Sequence, residues 1–264
     1  MANDLQRTTE WYLARKGKIT ASECYVLLNN SKQAMSEDEL AEWKKANPKS
    51  RVTTKEVPFS TGTYSYLDEK VAEMYMPDSS FIEYMEECKP SNKAMQWGTF
   101  WEEGARSRYQ EETGYEIFDA PFIALKGFEK FAGGSPDGII RLGDDKNGTN
   151  GIIEIKSPFN PAVHLKHFLY EKPEDLKEDN LQYYVQCQYN MICVGLEFGY
   201  EIGFCDFISF DPRTSKSKQM KVLRIPADAE MQKLLLERTK LGVNYLSEQV
   251  NRINNMPYII NEYK

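Results

Sequence analysis

Apolar positions along the chain follow two alternating periods. Over 94–112, Trp97, Trp101, Ala105 and Tyr109 recur every four residues, one buried stripe on a helix that Gly114 closes. Helices are also expected over 8–16 and 20–29, with Gly17 between them and Thr20 as N-cap of the second. Further helices fit 64–76, stopped by Pro77, then 181–194 and 228–253. Short β-branched and aromatic runs at 115–125, 131–134, 139–142, 151–156, 200–210 and 221–225 read as strands. The segment 143–150 is dense in turn formers and reads as a hairpin loop. From 30 to 58 the pattern fades into polar, Lys-rich sequence with one short helix over 36–46, the best place for a mobile or partner-facing insertion. Helices, a three-to-four-strand meander, a helix, more strand and a final helix together predict an α/β or α+β fold, a mixed sheet flanked by helices.

Composition narrows the class. The 264 residues are 41% hydrophobic and 28% charged, ordinary for a globular domain large enough to stand on its own core. The beginning has no apolar core of a secretory signal, and the longest apolar stretch, 189–200, is broken by Asn190 and Glu197 and is too short for a bilayer. No membrane partner is expected. Cys24, Cys88, Cys187, Cys193 and Cys205 form no C-x-x-C pair and no Cys/His cluster, so a disulfide scaffold, zinc ribbon or iron–sulfur site is not indicated, and a reducing cytoplasm fits. Asn147-Gly148-Thr149 reads as a turn, and the Met and Trp positions read as core.

A net charge of −7 argues, taken alone, against a nucleic-acid partner. Its distribution changes that. Residues 67–119 hold 13 acids and 5 bases, leaving 27 acids and 28 bases elsewhere. Within 211–226, Arg213, Lys216, Lys218, Lys221 and Arg224 stand against one aspartate, a run suited to phosphate contacts.

The chemistry concentrates in Ser135-Pro136-Asp137-Gly138 and, with sixteen residues between Asp137 and Glu154, in Glu154-Ile155-Lys156. Glu154 and Lys156 are two apart on a strand and share a face, while a hairpin brings Asp137 alongside. Two carboxylates and an ammonium at one spot suit Mg²⁺ or Mn²⁺ and phosphodiester chemistry, with Lys156 orienting or deprotonating water or neutralising the phosphate. A solvated hairpin carries such a triplet too. Against that, Glu154 lies in Gly-Ile-Ile-Glu-Ile, where an unpaired acid is costly, and Ser157-Pro158 ends the strand just beyond. Gln182, Gln186 and Asn190 make a polar stripe on their helix, a pattern a structural amphipathic helix also shows, with Tyr183 beside it. His164 and His167 have the spacing of a zinc pair without a third ligand and read as surface or DNA-flanking residues.

Five segments in order resemble the lambda-exonuclease-like (YqaJ-type) viral recombinases of the PD-(D/E)XK nuclease superfamily: Trp11…Arg15-Lys16-Gly17-Lys18-Ile19-Thr20-Ala21-Ser22, Trp97-Gly98…Glu102…Ala105-Arg106, Ser135-Pro136-Asp137-Gly138, Glu154-Ile155-Lys156-Ser157-Pro158-Phe159 and Tyr183…Gln186-Cys187-Gln188-Tyr189. Asp211-Pro212-Arg213 also fits.

The resemblance implies a restriction-endonuclease-like core in one domain, 1–264, with an insertion around 30–91. It implies Asp137, Glu154 and the Ile155 carbonyl as ligands of Mg²⁺ (Mn²⁺ substituting), two ions per site. Lys156 would be the catalytic lysine, Glu102 the acid completing the cluster, and Gln186, with Tyr183 in the same cleft, the group that positions water or a ligand carboxylate. Gly98, Glu102 and Ala105 share a helix face; a surface glutamate on a charged helix is the plainer reading of Glu102. Arg15, Ser22 and Ser135 would form a pocket for a terminal 5′-phosphate, chemistry that a guanidinium and two hydroxyls suit; for Thr20 and Ser22 the alternative is merely the start of a helix. The implied activity is 5′→3′ degradation of linear double-stranded DNA to 5′-mononucleotides, leaving a 3′ tail. It would serve phage-type recombination alongside a single-strand annealing protein, in a ring-shaped homotrimer. A PD-(D/E)XK endonuclease or resolvase and a non-catalytic DNA-end-binding protein are the alternatives.

Overall fold

Residues 8–87, 92–140 and 150–256 are described by a computed structural model. In chain order, α1 (Thr9–Arg15) leads through β1 (Ile19–Thr20) and a 3-10 turn (Cys24–Leu28) into an arm made of β2 (Ser31–Ala34), α2 (Glu37–Ala46) and β3 (Thr54–Val57). Then come α3 (Thr61–Tyr75), α4 (Asp78–Glu87) and α5 (Lys93–Thr113). The central strands are β4 (Ile117–Phe118), β5 (Ile123–Ala124), β6 (Ala132–Gly134), β7 (Gly138–Ile140) and β8 (Asn150–Lys156). After α6 (Pro161–His167), α7 (Pro173–Asp179) and α8 (Leu181–Phe198), the chain returns through β9 (Ile202–Phe210) and β10 (Met220–Pro226) to α9 (Ala229–Asn254).

The mixed α/β arrangement is as expected. The main sheet runs β10-β9-β8-β7-β4, with β8 and β9 parallel and the other pairs antiparallel. Alternation along β8 sets the layers. Ile153 and Ile155 pack with Ala105 and Tyr109 of α5, together with Ile140, Ile208 and Phe210. Ile152 faces the larger core that α8 and α9 fill from the other side. By the same period of two, Glu154 and Lys156 point toward α8, not α5. Gly114, at φ 71, ends α5 as the pattern predicts, a left-handed position that costs glycine little.

A second, small sheet orders β1-β6-β5, with β1 parallel to β6. It replaces the helix expected over 20–29. Ile19 and Thr20 pair with Ala132 and Gly133, and buried Ile19 joins the core, so only the 3-10 turn remains of that helix. The single run expected at 115–125 divides into β4 and β5, which belong to different sheets with Pro121 between. Helices α4 and α7 and the β2–β3 ribbon were not foreseen. The hairpin loop, its sequon and Cys88 fall largely or wholly outside the described residues.

His164 and His167 are not surface residues: both are buried and both bond Ser209 Oγ, at 2.8 and 2.7 Å, with His164 Nε2 also 2.7 Å from the Lys218 carbonyl. The short helix α6 turns them inward, where backbone and hydroxyl partners satisfy them. Core placement fails for Trp43, Met95 and Met256, which are exposed. Two of the five cations in 211–226 are already committed, Arg213 to Asp211 and Arg224 to Asp206.

Candidate active site

The β7–β8 hairpin builds the centre. Asp137 donates its N–H to the Ile153 carbonyl at 3.1 Å, and its Oδ2 accepts the N–H of Ile155 at 2.6 Å. The carboxylate thus takes a strand N–H where β7 gives way to Pro136, and stands beside Glu154 in the neighbouring register. Gly138 is a close-approach position, since a Cβ there would lie 2.4 Å from Ile117 Cγ2.

Glu154 is 1% exposed, and both its oxygens have partners: Lys156 Nζ donates to Oε1 at 2.6 Å and Asn190 Nδ2 to Oε2 at 3.0 Å. Burial pushes its carboxyl above the ordinary range and Asp137 adds to this, while Lys156 and Asn190 hold it back. Burial alone would lower Lys156, but Glu154 and Asp137 outweigh it and keep the ammonium above its usual value. Lys156 also donates to Gln186 Oε1 at 3.3 Å and lies 5.0 Å from the centre of the Tyr183 ring. Gln186 and Asn190, one turn apart on α8, therefore face the strand pair as a stripe. Asn190 Oδ1 is buried without a hydrogen-bond partner, as is Ser157 Oγ.

A second group adjoins this one. β1 runs beside β6, so residues 20–22 meet 133–135; Ala21 donates its N–H to the Gly133 carbonyl at 3.1 Å. Arg15 donates to Ser22 Oγ at 3.4 Å, and Trp11 Nε1 to Ser135 Oγ at 3.2 Å. The Arg15 guanidinium sits 4.2 Å from the Trp11 ring centre. Desolvation lowers its pKa, opposed by Glu23 and, more weakly, by Glu154, so the two groups lie within electrostatic reach of one another. Gln182 Nε2 fixes the Ser22 carbonyl at 3.0 Å.

Glu102 sits half-buried on α5, the helix that packs on the Ile153 and Ile155 side of β8. It lies one turn from Gly98, whose Cβ would come 3.9 Å from the Ser157 carbonyl, and one turn from Arg106, which donates to the Asp137 carbonyl and, at 2.6 Å, to Asp119. Among the described residues, no three His, Cys, Asp or Glu groups stand together in a metal-holding cluster. The oxygen donors brought together are the carboxylates of Asp137 and Glu154, on the hairpin that also carries the Ile155 carbonyl. Trp11, Arg106 and Asn190 were not singled out as site residues. Trp11 and Arg106 stand inside the motifs and Asn190 in the polar stripe, but only the contacts show what each one touches.

A model of the YqaJ-like viral recombinase domain matches residues 10–197. The chain belongs to the YqaJ-like viral recombinase family. All ten candidate residues, from Arg15 to Gln186, lie within the matched span of this YqaJ-like domain. An alkaline exonuclease (LHK-Exo) from Laribacter hongkongensis is 25% identical, with a TM-score of 0.64 over 94% of this chain and 96% of the other. The same protein in complex with dAMP gives 0.65 with the same identity and coverage. A phage-related exonuclease from Haemophilus somnus 129PT, 16% identical over 89% of this chain and 96% of its own, shares the fold at a TM-score of 0.52. No curated protein matches the sequence significantly. The YqaJ-like domain thus has the lambda-exonuclease-like, PD-(D/E)XK type of fold.

Proposed function

We propose that the chain is a metal-dependent 5′→3′ exonuclease that degrades linear double-stranded DNA to 5′-mononucleotides and leaves a 3′ single-stranded tail. The enzyme class, a DNA exonuclease of phage-type recombination, rests on the family and on the solved exonucleases. The observation that carries the finer reading is the buried Glu154 held by Lys156 and Asn190, with Asp137 locked beside it onto Ile155 N–H.

The donor chemistry fits a divalent cation. Two carboxylates, one of them buried and raised in pKa with only an ammonium and an amide to balance it, form an oxygen-rich site short of positive charge. Asp137, Glu154 and the Ile155 carbonyl would hold the ions, with Glu102 the further acid from α5. Bound there, Mg²⁺ or Mn²⁺, two per site, supplies charge neutralisation of the scissile phosphate and an attacking water of lowered pKa. The chain's own groups do the rest. Lys156, beside Glu154, serves as a cation beside the phosphate and orients or deprotonates the water. Gln186 fixes Lys156 and can turn its amide to the water, and the Tyr183 ring covers the ammonium. Arg15, Ser22 and Ser135 bind the terminal 5′-phosphate, whose second charge an internal phosphodiester lacks. Work with a single-strand annealing protein, assembly as a homotrimer and a cytoplasmic setting belong to the same reading.

The test is digestion of linear duplex bearing 5′-phosphate or 5′-hydroxyl and of closed circles, with and without Mg²⁺. Mononucleotide release from linear DNA, faster with a 5′-phosphate than with a 5′-hydroxyl, and only with metal, is expected. Comparable cleavage of closed circles would make the chain an endonuclease, and no release with either Mg²⁺ or Mn²⁺ would leave an end-binding protein.

A further inference from the structure

The segment 29–58 fully buries none of its thirty residues, yet it folds into a two-stranded ribbon and a helix. Its root is fixed. Ser60 N–H donates to the Asn29 carbonyl at 2.8 Å, and Arg238 of α9 reaches across to the carbonyls of Leu27, at 2.5 Å, and Pro58. The ribbon β2–β3 carries α2 outward, capped at Ser36 by a reciprocal bond with Glu39 and closed at the far end. There Asn47 donates to the Trp43 carbonyl through N–H and Nδ2, while Trp43 Nε1 and Val52 N–H both donate to Ser50 Oγ. The loop after α2 is therefore folded back on the helix end.

That tip is positive. Residues 43–54 hold Lys44, Lys45, Lys49 and Arg51 and no acid, and all four cations are exposed. No ion pair engages any of them among the described residues; the ribbon's lysine at 55 is the one taken, by Glu39. A helix C-terminus accounts for Lys44 and Lys45 but not for Lys49 and Arg51. Folding thirty residues without fully burying any side chain is costly for a structure with no partner. On a chain of net charge −7 the tip, like 211–226, is a stretch where bases outnumber acids and a polyanion is attracted.

We infer that this arm is a grip for the phosphate backbone of duplex DNA, outside the pocket that takes the 5′ end. The inference rests on the exonuclease reading and extends it: Arg15 holds the end, and the arm holds the duplex that has not yet been degraded. Its root is tied to the body of the fold, and four exposed cations supply phosphate contacts that read no sequence.

The experiment measures how the affinity of the full chain for a long linear duplex, in metal-free buffer, depends on salt. Replacing Lys44, Lys45, Lys49 and Arg51 together by Gln is expected to reduce the slope of log affinity against log salt by about 3 to 4, since each phosphate contact contributes about 0.9. Lys49→Gln alone should reduce it by about 1, which keeps the test open if the fourfold variant folds poorly. Changing the three lysines to Arg should preserve the slope. An unchanged slope in a folded variant, with wild type binding and degrading DNA, overturns the arm and leaves the exonuclease reading standing. The arm is equally overturned if the slope holds while binding to an annealing protein is lost. If wild type neither binds nor degrades DNA, the exonuclease reading fails first and the arm with it.

Discussion

Asp137 accepts the backbone N–H of Ile155 through its Oδ2 at 2.6 Å, so the first acid of the site is bonded to the strand that carries the second. Structure and chemistry at Asp137 can be separated by substitution. Asn keeps an acceptor for Ile155 N–H and removes the charge; Leu removes both. Asp137→Asn should keep most of the stability and lose hydrolysis by about 10²-fold or more, the scale for removing a group that stabilises developing charge. Asp137→Leu should in addition cost about 1–3 kcal/mol for the unpaired N–H. Chemical denaturation alongside nucleotide release reads both. An Asn variant as active as wild type removes Asp137 from the metal site.

Arg15 stacks on Trp11 and bonds Ser22 at the junction of β1 and β6. If it recognises a terminal phosphate, its loss should act on one substrate only. Wild type should degrade 5′-phosphorylated duplex about 10- to 100-fold faster than 5′-hydroxyl duplex, the worth of a charge-assisted contact. Arg15→Gln should bring the two rates together by slowing the first. Equal slowing of both would show a structural part for Arg15.

How much of this was written in the sequence depends on range. The pair Glu154 and Lys156 needs only a period of two, and the hairpin to Asp137 only a turn-rich link, so both were legible. So was the α5 stripe, since Ala105 and Tyr109 are buried where the four-residue spacing puts them. The 20–29 helix failed because Ile19 and Thr20 find a partner at Ala132 and Gly133, more than a hundred residues away, and the parallel pairing overrides local propensity. His164 and His167 looked like surface groups because nothing nearby in the chain foretells Ser209 or the Lys218 carbonyl. The face of β8 that α5 covers, and so the approach of Glu102, was likewise a matter of packing that spacing alone does not fix.

That buried histidine pair makes stability depend on pH. The Lys218 carbonyl can only accept, so His164 Nε2 carries the hydrogen; Ser209 then donates to His164 Nδ1 and accepts from His167 Nδ1. Burial, with His164 next, lowers His167 from 6.5 to about 4. The unfolded chain therefore binds this proton more tightly. Stability is full above 6.5, falls as pH drops toward 4 and levels below it, by on the order of 3 kcal/mol in all. Denaturant melts from pH 7 to 4 should show this slope, and His167→Gln should flatten it. A slope of the same size in that variant would place the titrating group elsewhere.

Gly134 joins the two halves of the site. It ends β6 one residue before Ser135, and a Cβ there would stand 2.4 Å from Asn190 Oδ1 and 3.2 Å from Cys193 Sγ. Asn190 cannot yield without giving up Glu154 Oε2, to which it donates at 3.0 Å. Gly134→Ala should cost about 1–3 kcal/mol from overpacking. Its larger effect should fall on turnover, because Glu154 loses the amide that balances one oxygen and fixes its rotamer. Pairing it with Asn190→Ala provides the check. If the methyl acts through Asn190, the double variant should lose little more activity than either single one, since both remove the same contact. Fully additive losses would mean that the methyl disturbs the strand or the Ser135 pocket instead of the carboxylate.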